Sequence, residues 1–344
     1  LGPPLGGYIV DRFSWPFIFY INIPIGIIAA LLTLSFIKSP KYGVKLKANQ
    51  VDWLGIFFLS AFIGSLQFVL EHGQQDDWFN DPVIVTLSVV SFFGLLFFIW
   101  RELTYEHPIV NLRVLKDSNL RIGTIMCFIL GFGLYGSTFI IPIYTQSILG
   151  WSATDAGLLL IPSSITTGIM MPFIGKMIQK GIPQTYLVAA GFFVFFAFTY
   201  WMHLVITPDS GEEHMYWPLI LRGVGLGLLF VPITTLSLST LTGKHIGEGA
   251  AFTGMMRQLG GSFGIAIITT YIARINQEHR VNMIGYLDNT SFEVQQRVHQ
   301  LQMGFMSKGY AMNEALAKAY KTLEMMVTQQ AAVLTFSDIF LYLG

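Results

Sequence analysis

The ionisable side chains that lie inside long apolar runs are the part of this sequence most able to do chemistry. Arg222 and Arg257 are the single charges within the runs Trp217–Leu241 and Ala251–Ala273, and Asp338 lies within a run that continues to the last residue. A charge placed in the interior of a membrane is costly, so such residues mark a path for ions or substrates, or a structural pair. The sequence therefore offers Arg222, Arg257 and Asp338 as candidates for proton coupling or gating.

Each of these residues also has a structural interpretation, and the sequence leaves both open. Arg222 lies near the outer end of its run, where its side chain could snorkel to the membrane surface or could line or gate a cavity. Arg257 could anchor its helix in a pair with Glu248, or take part in coupling. Asp338 could serve coupling, helix packing or a lipid-facing position. His203 ends its run, so we expect it at the interface.

The composition predicts that these residues belong to an integral membrane protein. Hydrophobic residues make up 53% of the 344, charged residues 12%, and the mean hydropathy is +0.58. A soluble domain carries about twice that charged fraction. The 20 basic and 20 acidic residues are segregated along the chain, which gives no reason to expect a nucleic-acid partner. The single cysteine, Cys127, excludes a disulfide framework and is expected to be buried and inert.

Uncharged or nearly uncharged runs predict ten membrane spans, because a spanning helix needs about 20 apolar residues. Two partial runs, Leu1–Val10 and Ala331–Gly344, lie at the ends of the chain. Since lipid does not tolerate a free terminus with unpaired backbone groups, we expect the sequence to be a fragment of a longer protein. The eight full runs are Phe17–Ile37, Trp53–Leu70, Pro82–Trp100, Ile122–Gly150, Ala156–Gly175, Pro183–Thr207, Trp217–Leu241 and Ala251–Ala273.

Basic residues predict how these spans are oriented. Arg12 is the single Lys or Arg in the short loops that follow odd-numbered spans. Basic residues concentrate on the cytoplasmic side, so the loops after even-numbered spans are predicted to be cytoplasmic and residues 274–330 extracytoplasmic. The basic residues of the even-numbered loops are Lys38, Lys41, Lys45, Lys47, Arg101, Arg113, Lys116, Arg121, Lys176, Lys180 and Lys244.

The segment 274–330 is polar but carries apolar residues at helical spacing. It predicts two amphipathic helices, with N-caps at Ser291 and Asn313. These helices could cover the outer mouth of the bundle or lie on the membrane, or they could dock a periplasmic partner. The apolar positions are Val294, Val298, Leu301 and Phe305 in the first helix, and Leu316, Tyr320, Leu323 and Val327 in the second.

The opening stretch GPPLGG combines small residues, which let helices approach closely, with prolines, which bend them. It predicts either a tight helix crossing or a hinge helix. A second pattern follows it at close spacing and ends in FYINIPIG. The residues of the two patterns are Gly2, Pro3, Gly6 and Gly7, then Asp11, Trp15, Asn22, Pro24 and Gly26.

Together these patterns resemble the antiporter motif and the following helix start of the major facilitator superfamily, in its fourteen-helix drug:proton antiporter family of the EmrB/QacA type. Pro16 stands where that family usually has arginine. The stretch Met256–Ile267 is similar to the start of the family's thirteenth helix. If the first span is the family's fifth, the chain would hold ten of fourteen helices and lack roughly the first four and the end of the last.

The resemblance implies an all-α major facilitator fold and a division of the chain. Residues 1–37 would end the N-terminal six-helix bundle, and 38–116 would form two extra linker helices with cytoplasmic loops. Residues 117–273 would form the C-terminal bundle, 274–330 a long extracytoplasmic helical loop, and 331–344 the start of the last span.

The resemblance also implies a function. It predicts export of hydrophobic, amphipathic or cationic drugs in exchange for protons, by alternating access, across the bacterial cytoplasmic (inner) membrane. A periplasmic membrane-fusion protein and an outer-membrane channel are possible partners, and membrane lipid surrounds the chain. The alternative is a specific metabolite, siderophore or lipid precursor on the same fold. The family's main acidic coupling residue lies in its first helix, outside this sequence.

Four side chains are candidates for the substrate cavity: Tyr135, Tyr144, Gln146 and Met170. Aromatic and methionine side chains form adaptable apolar pockets that accept varied compounds. Ordinary packing is the alternative, because Phe and Met occur throughout the chain.

No catalytic residue, metal or cofactor is expected. The glycines of Leu221–Pro232 lie inside a span without the Lys-Ser/Thr of a phosphate loop, so no ATP site is predicted. A membrane-embedded enzyme would need His, Asp or Glu clustered at one depth, and the histidines are scattered. They are His72, His107, His203, His214, His245, His279 and His299.

Overall fold

The computed structural model describes residues 2–36, 52–105, 110–287 and 291–344, apart from the side chain of Lys244. Within these ranges the regular elements are helices, with two short 3-10 turns at Trp78–Asn80 and Leu112–Lys116. The helices are α1 Gly2–Arg12, α2 Phe17–Tyr20, α3 Asn22–Phe36, α4 Trp53–His72, α5 Pro82–Thr104, α6 Ser118–Ser147, α7 Ala153–Leu158, α8 Ile161–Gln179, α9 Gln184–Val205, α10 Glu212–Leu238, α11 Lys244–Tyr286, α12 Phe292–Met306 and α13 Met312–Leu343.

Seven described segments are long and apolar enough to cross a membrane, and each contains one of the predicted full runs or most of it. The all-α membrane class is therefore confirmed. The eighth run, Ala251–Ala273, is helical but forms only the middle of the longer α11, whose ends are polar. The predicted total of ten spans stays a prediction, and Lys38, Lys41, Lys45 and Lys47 lie outside the described residues. The seven segments are Phe17–Phe36, Trp53–His72, Pro82–Thr104, Ser118–Ser147, Ala153–Gln179, Gln184–Val205 and Glu212–Leu238.

Glycines decide how closely the main bundle packs. Helix α11 lies along α6, and α10 packs against α6, α8 and α9. A Cβ atom added to Gly260 of α11 would lie 2.0 Å from the carbonyl oxygen of Phe128, and one added to Gly131 of α6 would lie 1.9 Å from that of Arg257. Because no side chain fits at such distances, α6 and α11 meet backbone to backbone.

Aromatic side chains fill the bundle core and fix α13 to it. The Tyr144 ring of α6 lies 5.6 Å from that of Phe336, and the Phe198 ring of α9 lies 6.2 Å from that of Phe340. All four side chains are buried, and Cys127 is buried beside them as predicted. Edge-to-face contacts of this kind add to the free energy of apolar packing.

The described residues of the segment 274–330, which is predicted to be extracytoplasmic, are mostly helical, but the division into helices differs from the predicted one. Its first part extends α11 to Tyr286, α12 is separate, and the second amphipathic stretch is continuous with the last apolar run in α13. The N-cap at Ser291 is confirmed. The N-cap at Asn313 is wrong, because the N-cap of α13 is Ala311, two residues earlier, and the helix begins at Met312.

Helices α4 and α5 form a hairpin beside α11. At one end of the hairpin, buried Asp52 binds Arg101, with the carboxylate oxygen 3.0 Å from Nε, and caps α4 through the amide of Gly55. Ser262 of α11 donates a hydrogen bond to the side-chain oxygen of Gln67. The hairpin is therefore fixed internally by an ion pair and is joined to the bundle by a hydrogen bond.

We predict that Gly260→Ala destabilises the bundle by about 1–3 kcal/mol, because the new methyl group would overlap the Phe128 carbonyl. Gly254→Ala on the same helix is the matched control, since nothing lies within 4 Å of its added Cβ. Thermal unfolding can be followed by the reaction of buried Cys127 with a fluorogenic maleimide. Equal midpoints for the two variants would contradict the close crossing.

Candidate functional site

The opening glycine-proline stretch lies across α7. A Cβ atom at Gly7 would be 2.2 Å from the carbonyl oxygen of Ala153, and one at Gly157 would be 2.6 Å from that of Pro3. The two helices therefore cross with their backbones in contact, which is the tight-crossing interpretation of this motif. Gly2 and Gly6 have no atoms within 4 Å of an added Cβ, so they face away from the crossing.

Asp11 fixes the end of this crossing. Its Oδ2 accepts a hydrogen bond from the amide of Thr154, at 2.7 Å, and another from the Thr154 hydroxyl. These bonds favour the charged form and hold the pKa of the Asp11 carboxyl below its ordinary value of 3.8. The contact is therefore complete above that ordinary value and is lost only as the pH falls through the lowered pKa.

The other residues of the second pattern lie away from α7. Trp15 packs edge to face on Phe19, and the Asn22 amide donates to the carbonyl of Ile18. Pro24 and Gly26 lie in α3, in which no residue is buried. These residues shape the turn between α1 and α3 within the described part of the chain.

Arg222 is the centre of the candidate site. Its side chain is only 4% exposed, and its guanidinium donates hydrogen bonds to three hydroxyls and a carbonyl. Nε bonds Ser137 and Nη1 bonds Ser163, both at 2.9 Å, while Nη2 bonds Thr138 and the carbonyl of Leu134. Snorkelling is therefore wrong for Arg222, because helices α6 and α8 enclose the charge inside the bundle.

The charge on Arg222 has no carboxylate partner among the described residues. Four of the five guanidinium N–H groups are used by the hydroxyls and the carbonyl, which leaves one free. Neutral hydroxyls satisfy hydrogen bonds but do not balance charge, so the site carries a net positive charge in a low-dielectric environment.

A cavity of about 290 Å³ adjoins this guanidinium. Pro3 of α1 forms part of its wall, together with Thr167 and Met171 of α8 and Phe230 of α10. The motif of the opening stretch and the buried arginine therefore border one space, although they lie more than two hundred positions apart in the sequence.

The four predicted cavity residues do not line this space. Tyr144 is fully buried and donates a hydrogen bond to the carbonyl of Thr207 at 2.6 Å. The Tyr135 ring packs over Gly261, and Met170 packs against Gly227. Gln146 is exposed near the end of α6.

Arg257 lies over the Phe230 ring. Its guanidinium carbon is 4.7 Å from the ring centre, a cation–π contact. Glu248 instead binds His245, with 2.9 Å between Oε2 and Nδ1, so the predicted Arg257–Glu248 pair is wrong. A role of Arg257 in coupling stays a prediction.

Asp338 pairs with His279 of α11, with 2.9 Å between Oδ2 and Nε2. The adjacent Ser337 hydroxyl lies 2.8 Å from Nδ1 of His203 on α9. His279 was not predicted as the partner of Asp338. It falls in the segment expected outside the membrane, 59 positions before Asp338. A coupling role of Asp338 also stays a prediction.

Sequence reasoning missed the residues that hold Arg222. Ser137, Thr138 and Ser163 are of residue types that are common in membrane helices. Serine and threonine there usually form hydrogen bonds to the backbone of their own helix. The one available signal was that each lies within an apolar run. Among the described residues, no group of three His, Cys, Asp or Glu could hold a metal ion.

The chain matches one family model and is similar to several known proteins. The family model of the Major Facilitator Superfamily matches residues 1–265. The chain is similar to the multidrug export protein EmrB of Escherichia coli K12, at 31% identity over 98% of this chain and 64% of that protein. It is similar to the fatty acid resistance protein FarB of Neisseria gonorrhoeae, at 32% identity over 99% of this chain and 65% of that protein.

A third relative is the colistin resistance protein EmrB of Acinetobacter baumannii, at 26% identity over 98% of this chain and 65% of that protein. The chain thus spans slightly less than two thirds of the length of these curated relatives.

We predict that Ser163→Ala destabilises the protein by about 1.5–3 kcal/mol, because it removes an acceptor from a buried charged donor. Ser164→Ala is the matched control, since Ser164 borders the same cavity but donates to the carbonyl of Leu160 in its own helix turn. Maleimide labelling of Cys127 during heating measures both. We call the hydroxyls of Ser137, Thr138 and Ser163 around the guanidinium the Arg222 cage. If Ser164→Ala destabilised the protein as much as Ser163→Ala, this would argue against a stabilising role of the Arg222 cage.

We predict that Gly7→Ala separates α1 from α7, since the added methyl group would overlap the Ala153 carbonyl. In a Cys127→Ser, Ala153→Cys background, a membrane-impermeant maleimide should label position 153 several-fold faster when Gly7→Ala is present. Gly6→Ala, which meets no neighbouring atom, should leave the rate unchanged. Identical rates in all three proteins would disprove the close crossing.

Proposed function

Because the chain belongs to the major facilitator superfamily, in its EmrB-type drug:proton antiporter branch, we propose that the protein exports hydrophobic or amphipathic toxic compounds in exchange for protons. It is a multi-pass protein of the bacterial inner membrane. The observation that carries the proposal is the arrangement around Arg222. Arg222, a buried cation with no ion-paired carboxylate in the described part of the chain, borders a cavity whose wall includes Pro3 of the opening glycine-proline stretch.

The charge of Arg222 supplies the proposed coupling. An uncompensated guanidinium in a low-dielectric site attracts a carboxylate, and protonation of that carboxylate weakens the attraction. Binding of a proton and of a substrate would then alternate at one charged centre. A membrane potential of 100 mV contributes about 2.3 kcal/mol for each charge that moves across the membrane.

The proposed movement takes place at the glycine crossing of α1 and α7. Transporters of this fold rock one bundle against the other around a central site. Gly7 and Gly157 bring backbones together without interdigitating side chains at these two positions. Separation of α1 from α7 would therefore break the Asp11–Thr154 bonds while requiring little repacking of the core.

The proposed substrates are small hydrophobic or cationic compounds. The E. coli relative is named a multidrug export protein, and the cavity at Arg222 combines apolar walls with a few hydroxyls. The proposed role is transport rather than catalysis. The exposed faces of α12 and of the outer part of α13 are the proposed contact surface for a periplasmic membrane-fusion protein, which would lead to an outer-membrane channel.

A second candidate substrate class is a long-chain carboxylic acid. The N. gonorrhoeae relative is named a fatty acid resistance protein. The free N–H of Arg222 and its missing counter-charge favour a carboxylate ligand over a cationic one in the cavity as described. In this case the substrate itself would neutralise the arginine.

The test measures the accumulation of a fluorescent cationic dye in efflux-deficient bacteria. The bacteria express this chain within a protein of the full length of its curated relatives. Expression should lower dye accumulation, and a protonophore should abolish the difference. Arg222→Gln should raise accumulation to the level of cells without the exporter, because the charge is lost. Arg222→Lys should rescue little, because an ammonium group cannot bind Ser137 and Ser163 as the planar guanidinium does.

Arg121→Gln is the matched control, since Arg121 is an exposed arginine near the start of α6 that does not line the cavity. The second candidate substrate class, long-chain carboxylic acids, is tested by growth in the presence of long-chain fatty acids. Normal export by Arg222→Gln, at equal protein levels in the membrane, would refute the proposed role of the arginine. Unchanged dye accumulation combined with fatty acid resistance would favour the carboxylic acid.

A further inference from the structure

A large apolar groove separates the α4–α5 hairpin from α11. Its main part has a volume of about 810 Å³ and is lined by apolar side chains of α4, α5 and α11, with two serines. Both serine hydroxyls are already bonded to backbone carbonyls, Ser88 to Ile84 and Ser91 to Phe62. Among its described lining residues the groove therefore presents no free polar side chain, and it suits an apolar occupant.

A second cavity, of about 520 Å³, continues this groove along α11. The two share Leu70, Trp78 and Phe263 as lining residues. Protein interiors are close-packed, so a void of this size would forfeit many dispersion contacts if it were empty. Since α4 and α5 are membrane spans, the acyl chains of membrane lipid have the chemistry to fill it.

Arg274 lies at the far end of the second cavity. It is exposed and has no ion pair or hydrogen bond within the described ranges. It follows the apolar part of α11 directly, at the side of the membrane predicted to be extracytoplasmic. An apolar groove that ends in a free guanidinium matches a chain with a phosphate at its end.

Trp78 marks the junction of the two cavities. Its φ of 52° and the φ of 54° at Asp77 place two consecutive non-glycine residues in the left-handed region, which is costly for a bulky side chain. The ring lies over Gly73, where an added Cβ would be 2.7 Å from it, and the indole N–H bonds Gln74. The strained turn thus directs the indole into the groove.

We propose that this groove is a binding site for one membrane phospholipid, with an acyl chain between the hairpin and α11 and the phosphate on Arg274. The loop that carries Trp78 contains Asp76 and Asp77, and Glu71 lies in the last turn of α4 before it, so a headgroup with a net negative charge would be repelled there. A zwitterionic phosphatidylethanolamine offers a phosphate to the arginine and an ammonium group to the acidic loop. The site is separate from the Arg222 cavity and does not depend on which compound is exported.

The test uses phosphatidylethanolamine whose chains are brominated near their middle, because bromine quenches tryptophan fluorescence on contact. The protein is reconstituted in phosphatidylcholine bilayers with increasing amounts of this lipid. The signal of Trp78 is the difference between the wild type and Trp78→Phe. A specific site should give quenching that saturates at a low mole fraction, whereas surrounding lipid gives quenching in proportion to the mole fraction.

Two variants examine the two halves of the site. Arg274→Gln should require about tenfold more lipid for half-maximal quenching, since a charge-assisted hydrogen bond is lost. Thr270→Phe, which fills the second cavity, should abolish the saturable part. Arg297→Gln, an exposed arginine remote from the groove, should behave as the wild type.

Proportional quenching in the wild type would overturn the proposal, because it would show ordinary surrounding lipid. Brominated diacylglycerol, which lacks the phosphate, should quench no better than the Arg274→Gln protein does with the phospholipid. Equal saturation by diacylglycerol and phosphatidylethanolamine would equally overturn it. Dye export is measured separately, so its failure would not affect this result.

Discussion

The enclosure of one guanidinium by neutral hydroxyls is the constraint on which the rest of the bundle depends. Arg222 can be buried only where several acceptors converge, since a buried donor without partners costs more than a hydrogen bond returns. Ser137 and Thr138 come from α6 and Ser163 from α8, so three helices must hold a fixed register. Glycine makes this possible: a Cβ at Gly223, next to the arginine, would lie 2.5 Å from the Ser163 carbonyl.

The sequence predicted the elements better than their contacts. Span positions depend on local hydropathy, which is why seven runs coincide with helical spans and the tight crossing of the opening stretch is found. The Arg222 cage and the His279–Asp338 pair depend on which faces of distant helices meet. That information lies in crossing angles and registers, which a single sequence does not contain.

The merging of the second amphipathic stretch with the last span has a similar physical cause. Residues 312–343 contain neither proline nor glycine, so nothing ends the helix where the composition changes. A change from polar to apolar composition marks the membrane surface, while the end of an element requires a residue that breaks the hydrogen-bond ladder. Arg280 of α11 binds Glu324 on the polar part of α13, so the two helices stay in contact beyond their apolar segments.

Phe230 links two arginines, since it lines the same cavity as Arg222 and lies under the guanidinium of Arg257, and this arrangement would limit the order of events in the proposed transport. Arg222 borders the cavity that Phe230 also lines, and Arg257 makes a cation–π contact with the Phe230 ring. The described residues provide no carboxylate within ion-pair distance of either arginine, so the potential in the cavity is positive. A carboxylic acid can enter such a cavity directly, whereas a cationic compound is repelled until a carboxylate has neutralised Arg222. The proposed export of cations would therefore require an acidic group that approaches this arginine before the substrate does, and protonation of that group would expel the cation.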